Sequence, residues 1–284
     1  MIETIQTTSE SLEARLKALW GASRLPGFAD STVTLRPPHW QEPWRRLQQL
    51  VAVQASGVVH GPHGVGKSFL LHRLSQELSP KQYRVIRLVH STLMGSDLLR
   101  QLVRLGGMNP NYRRSENVLL LRQLWQQTAP LWPVLILEEA QNLSAPALEE
   151  LRLLACERSD TQPPFSLLLV GDEDLLPRLH MGVNRALLSR LGFSLSLSPW
   201  PPQALQDYLE QRLAEVGIRK SPFDPPAEQL ILQSAAGRPR HLNDLLQRSL
   251  ENAALASRRQ VSAEDVQGAL DTLPWVTTHA PARS

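Results

Sequence analysis

The segment Gly61-Pro62-His63-Gly64-Val65-Gly66-Lys67-Ser68 constrains this chain more than any other. Its spacing, G-x-x-x-x-G-K-S, follows the short apolar run Ser56–His60 and opens a stretch of helical spacing at Lys67. A strand, a glycine-rich turn and a helix in that order make a phosphate cradle. Gly61, Gly64 and Gly66 let the backbone turn its N–H groups toward an anion, and the positive end of the following helix favours the same charge. Lys67 can then reach the β and γ phosphates of a nucleotide, and the Ser68 hydroxyl can ligate magnesium. Pro62, Val65 and Phe69 complete the expected lining, with His63 at a variable position of the loop. The cofactors expected are ATP and Mg2+.

Around this loop, apolar runs alternate with helical patterns. The runs Ser56–His60, Tyr83–His90, Pro133–Glu138, Ser166–Gly171 and Phe193–Leu197 read as strands, and the stretches from Lys67, Ser96, Asn117 and Ala145 as helices. Five buried strands with helices between them imply a parallel sheet in a three-layer α/β sandwich. After Pro199-Trp200-Pro201-Pro202 only helices are expected, the last starting at Ser262 with Asp265 at capping-box spacing. The division is then an N-terminal extension with a helical segment (1–50), a nucleotide-binding α/β domain (51–198), a small helical lid (199–273) and a frayed tail (274–284).

A second pair of charged residues closes the run Val134-Leu135-Ile136-Leu137-Glu138-Glu139. A strand end of this kind lies beside the phosphate loop, so one carboxylate can hold magnesium through water and the next can orient an attacking water. The expected roles are Glu138 with Ser68 on the metal, and Glu139 with Lys67 in catalysis.

With 42% apolar residues the chain can bury a core, and with one cysteine it cannot form an internal disulfide. No apolar run is long enough to span a membrane, and Glu3 and Glu10 fall where a leader would be apolar, so a cytoplasmic protein without membrane association is expected. The formal charge is +3, yet the segment from Lys67 to Arg122 alone carries +7. Such clustering marks either a polyanion-binding face or a solvated surface.

At these motifs the chain resembles the AAA+ ATPases, within them the group of the secretion ATPase ExeA and the transposition regulators TnsC, TniB and MuB. The resemblance covers about Gln41 to Leu273, with Glu138-Glu139-Ala140-Gln141-Asn142-Leu143 similar to the "DEAQ" signature and Gly237-Arg238-Pro239-Arg240-His241-Leu242-Asn243 similar to a lid motif. Glu138 stands where the family usually has Asp. The resemblance implies a P-loop NTPase fold of the AAA+ type and ATP hydrolysis. It gives Arg190 the role of an arginine reaching a neighbour's γ-phosphate, with Arg185 as fallback. Arg240, with Arg238 next, takes that of a lid nucleotide sensor, and Asp172 that of a polar sensor. It further implies a homo-oligomeric ring or helical filament on double-stranded DNA that recruits or activates a transposase. The alternatives are an ExeA-type secretion ATPase and a slowly hydrolysing nucleotide switch. In such rings the region of Asn109–Ser115 tends to face the pore, so Arg113 and Arg114 are expected to grip the phosphate backbone.

Overall fold

The computed structural model describes residues 12–24, 37–89, 94–156 and 164–275. Its contacts divide the chain into two compact units, one running from His39 to Ser198 and one joining the stretch before His39 to everything from Pro199 onward. The first helix, α1 (12–20), is part of the second of these.

The sheet unit begins with α2 (Gln41–Ala52), whose Leu47, Leu50 and Val51 are buried along one face. There follow β1 (Gly57–His60), α3 (Lys67–Glu77), β2 (Tyr83–Leu88), α4 (Gly95–Leu105), α5 (Arg114–Gln127), β3 (Trp132–Leu137) and α6 (Ala145–Ala155). The unit ends with β4 (Ser166–Gly171), the short α7 (Leu175–His180) and α8 (Arg185–Leu188), and β5 (Phe193–Ser196). The strands lie in the order β2-β3-β4-β1-β5, each paired parallel to its neighbours.

Alternation decides the layers. Val58, Ile86, Leu135, Leu137, Leu167 and Leu169 point into one core with Leu98, Leu102, Leu121, Leu148 and Leu151 of α4, α5 and α6. The intervening Val59, Val134, Ile136 and Leu168 are equally buried, so the opposite face is covered as well. There α2 lies beside β1, with Leu50 close enough to Gly57 to exclude a β-carbon, and Trp40 meets Phe69 of α3 at 5.8 Å between ring centroids. Strands buried on both faces are continuous apolar runs, which is why β3 and β4 are so plain in the sequence.

The boundaries differ from expectation by one or two residues in β1, β2, β3 and β5, and two of the strand ends bear on the site. β2 stops at Leu88, and His90 lies outside the described residues. β3 ends before Glu138: its N–H still bonds to the Leu88 carbonyl at 2.9 Å, but Glu139 turns into the left-handed region at φ 54° and breaks the extended backbone.

The second unit holds α9 (Pro202–Glu215), α10 (Pro225–Ala235), α11 (Pro239–Leu255) and α12 (Ala263–Thr272), together with a lone parallel bridge between Phe223 and Val261. Three of these helices start on a proline, where its missing N–H costs nothing. The capping box expected at Ser262 and Asp265 is present, and Asp265 also pairs with Arg258. The sequence groups residues 1–50 as one extension, whereas the structure divides them. Leu16 of α1 is fully buried, Trp20 Nε1 donates to the Arg259 carbonyl at 2.7 Å and Arg15 to the Leu255 carbonyl at 3.1 Å, while α2 belongs to the sheet unit.

Candidate functional site

β1 is flanked by β4 and β5, and its last residue, His60, is in register with Gly171 at the end of β4. The loop 61–66 therefore leaves the sheet at the carboxyl edge, between neighbouring strands, where open α/β sheets bind ligands. At Gly61 a β-carbon would lie 2.1 Å from the Leu197 carbonyl oxygen, and at Gly66, the cap of α3, φ is 101°. No side chain caps α3, so its first-turn N–H groups are available to an anion. Lys67 is 8% exposed, and its ammonium donates to the carbonyls of Gly61 and Pro62 at 2.7 and 2.8 Å. A buried cation needs acceptors, and the loop's own backbone provides them. Val65 is buried, Ser68 is exposed in the first turn of α3, and Phe69 packs on Trp40.

His63 is more than incidental to the geometry: its Nε2 is 3.2 Å from Asp172 Oδ2, joining the loop to the residue after β4. That contact is an ion pair only when the imidazole is protonated. His60, below the loop, is held under its ordinary pKa first by burial and then by the Lys67 charge.

The two carboxylates after β3 are in different surroundings. Glu138 is 2% exposed and accepts from Arg87 Nε at 2.5 Å. Glu139 accepts from the Gln141 side-chain amide at 2.8 Å, and the other end of that amide accepts from the Asp172 N–H at 3.4 Å. Gln141 thereby ties the β3 end to the β4 end, and Arg178 of α7 fixes the turn by donating to the Gln141 carbonyl at 2.6 Å and to that of Leu143. Sequence reasoning missed Arg87 and Arg178, and gave Gln141 no role beyond its place in the signature segment. For Arg87 a signal was present, since a basic residue inside the run Val85-Ile86-Arg87-Leu88 of a covered sheet needs an acid beside it.

Among the described residues no group of three or more His, Cys, Asp or Glu side chains could hold a metal by itself. Magnesium asks for less, because it keeps several waters and takes phosphate oxygens with one or two protein ligands. The Ser68 hydroxyl and a carboxylate after β3 fit that requirement.

Of the expected arginines, Arg190 is a partly buried residue just after α8, and its Nη1 donates to the Ala186 carbonyl at 2.5 Å. Arg185 opens α8. Arg240 is exposed in the first turn of α11, in the other unit, and Arg238 caps that helix. Beside them His241 stacks on Trp275 at 3.8 Å, and its pKa is lowered to about 4 by burial and then by Arg238 and Arg240.

The pair Arg113 and Arg114, expected to act alike, is divided. Arg113 precedes α5 on a braced turn: the buried Asn117 accepts from the Asn111 N–H at 2.7 Å and donates to the carbonyls of Asn111 and Arg113. Arg114 is the first residue of α5 and grips both oxygens of Glu150 on α6 at 2.5 and 2.6 Å. Its fork geometry suits a carboxylate, and Glu150 sits opposite once α5 and α6 pack.

Comparison with known proteins agrees with this architecture. A family model described as AAA domain matches residues 51–179. General secretion pathway protein A of Aeromonas hydrophila is 26% identical over 228 residues, covering 76% of this chain and 41% of that protein, so the chain spans well under half of its relative. Among solved structures, Cdc6p of Pyrobaculum aerophilum superposes with a TM-score of 0.70 at 20% identity over 86% of this chain and 69% of that one. The Aeropyrum pernix ORC1 protein, solved in complex with DNA, gives 0.66 at 19% identity over 87% and 72%. The Thermotoga maritima RuvB branch migration motor gives 0.54 at 19% identity over 82% and 69%. The chain has the α/β fold of the AAA+ P-loop NTPases. Together with the secretion-protein relative, this supports an AAA+ ATPase.

Proposed function

We propose that this chain binds ATP with Mg2+ on residues 61–69 and hydrolyses it, and that the cycle is coupled to assembly on double-stranded DNA. The observation that carries the first part is the Lys67 ammonium held over a glycine loop at the carboxyl edge of β1, with Glu138 and Glu139 after β3. Bound magnesium would neutralise charge on the phosphates. In this reading Lys67 binds them, Ser68 and Glu138 serve the metal, and Glu139 orients the water. Arg240 senses the nucleotide from the lid, and Arg190 reaches a neighbouring copy.

Support for DNA comes from the basic segment Lys67–Arg122 and from Tyr112 and Arg113, of which Tyr112 is 89% exposed on the braced turn before α5. The DNA-bound ORC1 relative adds to it. Recruitment or activation of a transposase by a cytoplasmic oligomer is the finest level of this proposal, resting on the resemblance of segments 138–143 and 237–243 to transposition regulators. The similarity to General secretion pathway protein A favours a second reading, an ATPase of secretion.

ATP turnover with and without duplex DNA tests the proposal. Lys67→Ala should abolish nucleotide binding, whereas Glu139→Gln should keep it and lose at least about 100-fold in turnover. Wild-type turnover by Glu139→Gln overturns the role of that carboxylate, and turnover indifferent to DNA removes the coupling.

A further inference from the structure

One guanidinium spans the two residues that the Mg2+-ATP reading gives to the metal. Arg87 Nε donates to the Glu138 carboxylate at 2.5 Å, and its Nη2 donates to the Ser68 carbonyl at 3.2 Å. Its Nη1 lies 3.0 Å from His72 Nδ1. Because Arg87 offers only donors, that ring nitrogen accepts. Arg87 thus reaches from β2 to the end of β3 and to the first two turns of α3.

Burial explains why the arrangement holds. A carboxylate as covered as Glu138 is costly without a cation, and Arg87 is the cation supplied by the adjacent strand. The longer Glu side chain brings the carboxylate to the guanidinium. A divalent ion entering between Ser68 and Glu138 meets that fixed positive charge within a few ångström, a repulsion strong at partly buried sites.

We propose that Arg87 is a positioning residue that competes with Mg2+ for Glu138 and so sets the magnesium requirement of nucleotide binding. The inference rests on the Mg2+-ATP reading above. In the wild-type protein Arg87 supplies part of the positive charge that a metal otherwise brings, and magnesium engages fully only when the guanidinium yields the carboxylate.

The test is equilibrium binding of a fluorescent ATP analogue to the full chain, in EDTA and across a Mg2+ titration, with no turnover measured. Arg87→Gln should lower the Mg2+ midpoint by about tenfold or more, from the removal of one nearby charge. Glu138→Asp, which withdraws the carboxylate by one methylene, should move it in the same direction. Arg87→Lys, which keeps a cation, should stay within about threefold of wild type. An unchanged or higher midpoint in Arg87→Gln overturns the inference. Should that variant fail to fold, Glu138→Asp decides by the same criterion. Wild-type protein that binds no nucleotide in either condition overturns the Mg2+-ATP reading and this inference together. Nucleotide binding with indifferent midpoints overturns this one alone.

Discussion

At Gly61 the close approach of the Leu197 carbonyl leaves no room for a side chain, and φ of 149° adds strain for any L residue. Gly61→Ala must therefore displace either the loop or the backbone after β5, at a cost of about 1–3 kcal/mol. The expected result is a lower melting temperature with nucleotide affinity reduced at least about tenfold; unchanged thermal melting and binding would show that the two segments separate freely. His241 makes a different kind of prediction. Its folded pKa of about 4 lies below the ordinary histidine value of 6.5, so the unfolded chain takes up the proton first as pH falls. Stability is full above pH 6.5 and drains between 6.5 and 4, by about 1–2 kcal/mol after discounting for solvent around a half-exposed ring. His241→Phe keeps the stack on Trp275 and removes the proton. Its melting temperature should fall less steeply than that of wild type over this interval, and parallel curves would dismiss the effect.

Among the elements, legibility followed how local the cause was. The core strands β3 and β4 were plain because burial on both faces demands uninterrupted apolar residues. The capping box at Ser262 was plain because its two partners are three residues apart. The packing of α1 was not, since Arg15 and Trp20 find their partners at the carbonyls of Leu255 and Arg259, and no local pattern reveals a contact that distant in sequence. Arg87 and Glu138 are separated by 51 residues and meet only because β2 and β3 are neighbours, an adjacency that the order of strands along the chain leaves open. The same cause divided Arg113 from Arg114, because Glu150 faces the start of α5 only after α6 packs. The two arginines should then separate by experiment. Arg113→Ala should weaken DNA binding about equally across sequences, reduce the salt slope by about one unit and leave melting unchanged. Arg114→Ala should lower stability by about 0.5–1 kcal/mol, the range for a partly exposed bidentate pair. If Arg113→Ala binds DNA with the wild-type affinity and salt slope, the turn before α5 is not a DNA contact.

For the molecule as a whole, the site as described contains the buried Lys67 and the carboxylates after β3, while Arg190 is a partly buried residue after α8, its guanidinium resting on its own helix carbonyl at Ala186. A single contact between a partly exposed arginine and its own helix carbonyl is weak and costs little to break. Supplied to the γ-phosphate held by a second copy, the same guanidinium is worth roughly 10³ to 10⁵ in rate. Activity should then depend on assembly, with turnover per chain rising with protein concentration. In this reading Lys67→Ala should hold no nucleotide but still carry Arg190, and Arg190→Ala should hold nucleotide without the arginine. Each alone should be inactive, and a mixture should recover turnover at those interfaces where an intact loop faces an intact arginine. Arg185→Ala, tested in the same mixtures, separates the two candidate arginines of α8 and the turn that follows it. Mixtures as inactive as either parent, under conditions where sedimentation shows both variants assembling with wild type, would exclude a trans role for Arg190.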